Sequence, residues 1–344
     1  MPSIPALARA FAQDIRRNAA AAVCVAAAVA AAGMACRSSP APVPMIETAG
    51  ESPDAVERYV LPVTAPQDQG ETGLCWVFAA LSMLETDYMS RHPGAEVEFS
   101  RAALQRDSIA DRFRRLFRGE PGAPSDGGLP VEALALAREN GLVERHDFHD
   151  VKDVAPLFAT LRQALAEPAE PDEKERDLDD ELAVTLGTKP PVTHLAGQAV
   201  TPDALAREAL ADKAWTEFDL ARDGATGWGP SRDPDARAGS LVRYVALDTL
   251  VAIIHASLAR GEAVVVGTDD HCVEVYGAEY GRDGNPLSYL VKDSLAPFLY
   301  RADAGALHRR LNDVTVALDE AAVSAGAVAA SPKGPAAGGP AGSL

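Results

Sequence analysis

The 344-residue sequence predicts an α+β fold, with helices gathered in the first half of the core and antiparallel strands in the second. Two patterns carry this expectation. Helical runs open at Cys75 and at Pro130, whereas after Gly261 the chain turns to short runs rich in Val and Tyr, broken by the turn signal Asp283-Gly284-Asn285-Pro286. A third observation bounds the core. Both ends lack apolar periodicity, which confines folding to residues 57–320, enough for one two-lobed domain or two small ones.

Residues 1–36 read as an export signal: Arg9, Arg16 and Arg17 precede an uncharged Ala/Val run over residues 19–35, closed by Gly33-Met34-Ala35-Cys36. The run is short and mostly alanine, a poor permanent span, because bilayers demand about 20 strongly apolar residues. Cys36 after small residues resembles a bacterial lipoprotein processing site. Lipid attachment there, plain cleavage and retention as an anchor stay open, so the expected location is the cell envelope, or the periplasm or exterior. Residues 37–56 are a Pro/Ser-rich flexible linker, and residues 321–344 an Ala/Gly/Pro-rich disordered tail.

The net charge of −18 repels phosphate backbones and argues against nucleic acid as a partner. The basic run Arg112, Arg114, Arg115 and Arg118 reads as one solvated helix face, with membrane contact as the minority view, and the acidic run at 167–181 as an exposed connector or the start of a solvated helix. Of four cysteines, Cys24 and Cys36 fall in the signal. An exported chain without a disulfide framework rests on its core, so Cys75 and Cys272 need their own explanation.

Cys75–Met89 is apolar on nearly every side, the pattern of a deeply buried helix, and Gly70 and Gly73 deliver the chain to its start in a tight loop. A second helix, "PVEALALARENGLV", stops at Gly141, and a third, "LDTLVAIIHASLARG", at Gly261. Segments 119–128 and 222–240 are loops by composition. "AVVVGT", "HCVEVYGAEY" and "LSYLVKDS" are strands. Pairing the last two symmetrically about Arg282 sets position 271 opposite 293, with His271 and Asp293 on one face and Cys272 on the other.

That pairing suggests a nucleophilic site. A helix N-terminus and an imidazolium together lower a thiol pKa by several units from about 8.5, and Cys75 has the first while His271 can supply the second. Asp293 would orient the ring, and Gln69 would offer its amide to an oxyanion beside the backbone N–H of Cys75.

Gln69-Gly70-x-x-Gly73-x-Cys75-Trp76 resembles the nucleophile segment of papain-like cysteine peptidases. "SDGG" before a helix resembles the glycine pair that holds substrate backbone in that family, and "HCVEVYGAEY…YLVKDS" its histidine strand and the strand of the third residue. "EVEFSRAAL", "ENGLV" and "TLGTKPP…VTPDALAREAL" are more similar to the bleomycin hydrolase (aminopeptidase C) branch. The resemblance spans residues 60–318 and implies a two-lobed fold, a helical lobe and a β-rich lobe with the active-site cleft between them. It implies Cys75 as nucleophile, His271 as general base and acid, Gln69 as oxyanion donor and Asp293 in the place of asparagine. Gly73, Trp76, Gly127 and Gly128 would line the substrate site, without metal or cofactor.

Departures from the family pattern are specific. Asp293 adds charge that raises the His271 pKa, and Leu295 stands where a tryptophan shields the family's His–Asn bond. Thr72 replaces a disulfide cysteine of papain itself. The segment before His271 is short, the tail does not resemble the cleft-filling one of the aminopeptidase branch, and the stretch between Cys36 and Cys75 is too short for a large inhibitory propeptide. The expected function is an exported cysteine peptidase acting on peptides or proteins through a thioester acyl-enzyme. The rivals are a catalytically silent binding protein on the same fold and an amidase or acyl transferase using the same residues. His146 and His149 lack further ligands for a metal, His255 reads as a core histidine, Asp269 and Asp270 as turn residues, Trp228 as a packing anchor, and Cys272 as buried on the reverse face.

Overall fold

The computed structural model describes residues 45–46, 52, 54–148, 153–211, 213–269, 271–295 and 298–318. The export-signal, Cys36, His149, Asp270 and C-terminal tail readings lie outside them. Short strands β1 (Met45–Ile46) and β2 (Glu57–Val60) lead into helix α1 (Cys75–Arg91), followed by α2 (Arg101–Phe117) and α3 (Pro130–Asn140). Next come α4 (Ala155–Ala166), α5 (Pro171–Thr185), the hairpin β3 (Thr193–Leu195) and β4 (Gln198–Val200), and α6 (Pro202–Leu210). The β-rich half holds β5 (Ala214–Leu220), β6 (Gly227–Pro230), β7 (Leu241–Val245), α7 (Leu247–Ala259), β8 (Val264–Thr268), β9 (His271–Tyr280), β10 (Pro286–Lys292), β11 (Leu299–Asp303), α8 (Ala304–Arg310) and β12 (Leu311–Leu318). The α+β expectation holds, as do the stops at Gly141 (φ 77°) and Gly261 (φ 80°).

One sheet runs β1-β11-β10-β9-β8-β12-β5-β7-β6, with β2 added along β9. Its pairs are antiparallel except β5 with β7. Alternation along β8 assigns the two faces. Ala263 and Val265 join the core built on α1, with Leu81, Met83 and Leu84, while Val264 and Val266 meet Leu250, Ile253 and Ile254 of α7 on the opposite face. A separate cluster of Phe113, Phe158, Leu161, Leu178 and Leu182 joins α2, α4 and α5. Because α1 is apolar all round, it runs through the interior, buried from Trp76 to Met89.

Three sequence readings change. The basic run is not a solvated face: Arg112 is buried, and Arg114 and Arg118 pair with Asp179 and Glu175 of the acidic helix α5. Acidic and basic runs, each unremarkable alone, neutralise each other across the helical layer. Segment 222–240 is not wholly loop, since it contains β6, which pairs with β7 just beyond it. Trp228, expected as a packing anchor, is 56% exposed on that edge strand. His255 does pack as expected, half-buried, with its Nε2 2.9 Å from the Tyr289 hydroxyl.

Candidate active site

The approach to Cys75 is fixed by its own backbone. Asp68 Oδ1 accepts from Gly70 N at 2.8 Å, and Gly70 adopts φ 61°, a conformation that favours glycine. The chain then turns into α1 with Cys75 as first helical residue, half-buried at the positive end of the helix dipole. Gly73 N donates to Asp126 Oδ2 at 2.7 Å, and Trp76 Nε1 donates to Asp126 O at 2.9 Å, so Asp126 ties this loop to the "SDGG" segment.

His271 opens β9 and Asp293 directly follows β10. The His271 Nε2 lies 2.8 Å from Asp293 Oδ1, with both side chains 13% exposed. The strand register differs from expectation. Val291 faces Val275 and Lys292 faces Glu274, because the turn closes between Gly281 and Asn285 and is centred on Asp283, not Arg282. Asp293 is therefore diagonal to His271 rather than opposite. The offset is two residues, an even number, so both side chains keep a common face. Asp293 Oδ1 also accepts from Leu295 N at 2.9 Å, while the Leu295 side chain is 56% exposed and leaves the His–Asp bond thinly covered.

With Nε2 committed to Asp293, the ring's other nitrogen is left for Cys75, and each of the two residues shifts the other's proton. The Cys75 thiol is lowered to about 5. The Cys272 thiol donating to it is the largest cause, opposed by burial and joined by the hydrogen bond and charge of His271. Burial alone would depress His271, but the Asp293 hydrogen bond and the Cys75 interaction outweigh it and hold the ring up at about 9. Thiolate and imidazolium thus coexist at neutral pH.

Cys272 corrects a sequence reading. It does point to the face opposite His271, but that is the face on which α1 lies, so its thiol meets Cys75 and is itself raised well above the usual range, first by that hydrogen bond and then by burial. Alternation along β9 held this signal; which face carried the Cys75 helix was the missing fact.

Gln69 is buried, and its amide is oriented by three bonds. Its Oε1 accepts from Ser294 Oγ at 2.7 Å, its Nε2 donates to Thr72 O at 2.7 Å, and its backbone N donates to Ser294 O at 2.8 Å. One Nε2 hydrogen is committed to Thr72, and a second remains for an oxyanion. Ser294, adjacent to Asp293, thus orients the Gln69 amide and was missed from sequence.

Gly127 and Gly128 sit partly exposed. A Cβ on Gly128 would lie 3.0 Å from the Trp76 ring, and one on Gly127 2.5 Å from Asp235 Oδ2. Arg112 donates to Gly127 O and, at 2.9 Å, to Asp235 O, clamping the segment. Trp76, predicted to meet substrate, is only 2% exposed and instead packs the helix start under Gly128.

No family model matches the chain, and no curated protein matches it. Among solved structures, PepW from Lactobacillus rhamnosis HN001 overlaps 77% of this chain and 82% of its own at a TM-score of 0.61 and 15% identity. Weaker overlaps are with the Amb a 11 cysteine protease, a ragweed pollen allergen in its proform (TM-score 0.39, 14% identity, 79% of this chain and 67% of that one), and xylellain, a cysteine protease from Xylella fastidiosa (TM-score 0.33, 11% identity, 76% and 86%). An α+β chain that sets a helix-borne cysteine against a strand-borne histidine, on a backbone shared with PepW, has the papain-like cysteine protease fold.

Proposed function

We propose that the protein is an exported cysteine peptidase that hydrolyses peptide bonds through a thioester at Cys75. The observation that carries this reading is the His271–Asp293 bond at 2.8 Å together with Cys75 at the start of α1, and the lowering of the thiol to about 5 and raising of the imidazole to about 9 agree with it. The thiolate attacks the scissile carbonyl carbon, and the developing oxyanion meets the Cys75 backbone N–H and the remaining Gln69 amide hydrogen. His271 gives its proton to the leaving amine as the C–N bond breaks. It then takes a proton from water, whose oxygen attacks the thioester, and Cys75 departs as thiolate. Gly127 and Gly128, held by Arg112 and packed over Trp76, would present backbone to an extended peptide. The Arg-bearing apolar run over residues 1–36, with Cys36 after small residues, supports export to the cell envelope with lipid attachment. The segments at 139–143 and 200–210 support a place near the bleomycin hydrolase branch.

The test is the rate of Cys75 alkylation by iodoacetamide from pH 4 to 9, followed by assay of a peptide library. A plateau reached near pH 6 and abolished in His271→Ala, with peptide cleavage, is expected. A rate rising only near pH 8.5 in both proteins would remove the enzyme reading and leave a binding protein. Alkylation at low pH with transfer to amines but no cleavage would indicate an acyl transferase.

A further inference from the structure

The strand register places one continuous row of residues across the sheet, beginning beside the nucleophile. Cys272 of β9 pairs with Gly267 of β8, Gly267 with Asp313 of β12, and Asp313 with Asp219 of β5. Cross-strand partners share a face, so this row lies on the face that carries α1 and Cys75. Gly267 leaves a gap in it. The Asp313 carboxylate leans into that gap, with Oδ2 only 2.0 Å from where a Cβ on Gly267 would sit, and so reaches towards Cys272 and Cys75. Two residues along β5, Glu217 adds a third carboxyl on the same face, 2% exposed.

Folding does not account for this row. Like charges directly opposite on paired strands are destabilising, and Asp313 faces Asp219 in just that way. Oδ1 of Asp313 and Oδ1 of Asp219 reach almost no solvent and have no hydrogen-bond partner. Glu217 Oε2 accepts only long bonds, 3.2 Å from Thr315 Oγ1 and 3.5 Å from Val131 N. None of the three carboxylates has an ion-pair partner among the described residues. Arg232, whose charge lowers the Asp219 carboxyl, is committed to Asp223 at 2.7 Å and to the Tyr244 ring. Burial raises all three carboxyls; Asp219 raises Asp313 further, both raise Glu217, and Asp233 adds to Asp219 and Asp313. Buried, mutually repelling acids with oxygens lacking partners form a receptor for positive charge.

We infer that Asp313 and Asp219, backed by Glu217, form a subsite for a lysine or arginine side chain of the substrate close to the scissile bond. The inference rests on the peptidase reading for its substrate class. Strands are about 4.8 Å apart, so Asp313 stands roughly 10 Å along the sheet from Cys272. An extended peptide rises about 3.3 Å per residue, which puts the cationic side chain within about three residues of the bond cleaved. Because the Asp313 carboxylate itself lies over Gly267, the cationic group would meet it on that side of the row, next to Cys272. The pairing of a guanidinium or ammonium with these acids replaces acid–acid repulsion by attraction, which gives selectivity for cationic over apolar peptides.

Two measurements test this separately from catalysis. In the first, peptides carrying Arg, Leu or Glu at each of the three positions on either side of the bond are compared for kcat/KM with the active protein. Arg should exceed Leu by at least about tenfold at one position, the effect of about 1.4 kcal/mol, and Asp313→Asn and Asp219→Asn should each collapse that ratio through KM. In the second, fluorescence anisotropy follows the same peptides binding to Cys75→Ser protein. Tighter binding of the Arg peptide, lost in Asp313→Asn, supports the subsite even if no peptide is ever cleaved, an outcome that would sink only the peptidase reading. Equal binding of Arg and Leu peptides, or preference for Glu, overturns the inference. So does saturable binding of Ca²⁺ or Mg²⁺ that Asp313→Asn removes while peptide affinities stay equal, since the acids would then belong to a metal ion.

Discussion

At the scale of single residues, the ion pair is set by two neighbours acting on opposite partners. Cys272 donates to the Cys75 sulfur and stabilises its anionic form, whereas Asp293 accepts from His271 and stabilises its cationic form. The two effects therefore separate in a pH profile. Removing the Cys272 donor by Cys272→Ala should move the thiol upward from about 5, shifting the acid limb of kcat/KM to higher pH. Asp293→Asn keeps the hydrogen bond but deletes the charge, so His271 should fall from about 9 and the basic limb should shift to lower pH. Movement of the wrong limb in either variant would show that the contacts do not control these protons. Gln69 differs in kind, since Ser294 and Thr72 spend its oxygen and one of its hydrogens on holding it still.

Among elements, the start of α1 and the glycine segment are one unit. Asp126 bonds both Gly73 and Trp76, and Arg112 of α2 reaches across to Gly127 and Asp235. Gly128 meets a neighbour with little freedom to yield, because an added methyl would lie 3.0 Å from the Trp76 ring, which is itself buried. Gly128→Ala should thus destabilise by about 1–3 kcal/mol, read as a lower urea midpoint, and should raise KM as the segment shifts. An unchanged midpoint would mean that the ring is free to move. Helix α1 with Cys75 at its start, the stops of α3 and α7, the β9–β10 hairpin and the pairing of His271 with Asp293 were legible because each depends on local pattern: apolar periodicity, glycine punctuation, residue alternation. The rest was not. Strands β5, β7, β11 and β12 carry no distinctive local signature, and the row linking Cys272 to Asp313 exists only through a sheet order that brings β8 between β9 and β12. Ion pairs between α2 and α5 likewise depend on tertiary placement, which turned two apparently solvated charge runs into partners.

For the whole molecule, the balance of buried acids predicts an unusual pH dependence of stability. Beneath the site, Glu85 is satisfied by Arg101, which donates to it from α2, and by Thr64, and is held below the usual carboxyl range. Glu274, equally buried, has neither oxygen hydrogen-bonded and is raised to about 7 by burial, only partly countered by Lys292. Burial likewise raises Asp313 to about 7, Asp219 to about 6 and Glu217 well above its ordinary value. In the unfolded chain these groups lose their protons near pH 4. Between about pH 4 and 7 the native state consequently holds more protons than the unfolded one, and stability falls as pH rises. Cys75 acts in the opposite sense, since it loses its proton near 5 when folded and only near 8.5 when unfolded, and burial does the same to His255, lowered to about 4, and to His308, but the raised acids, Asp107, Glu132 and Asp233 among them, are the larger set. His271 keeps its proton up to about 9, so the stability that it adds below its unfolded value near 6.5 is lost as pH rises through 9, which largely cancels Cys75 over that interval. Below pH 4, protonation of Asp293 and Glu85, both held low, removes stability again. Thermal melts should therefore show Tm greatest near about pH 5 and declining toward pH 7.5, where many proteins are most stable. Glu274→Gln should flatten the decline by removing one of its protons, and Asp313→Asn should do the same. A Tm that climbs steadily from pH 5 to 7.5 would require these acids to be ionised and compensated in the native protein, with cations close enough to occupy the row beside Cys272.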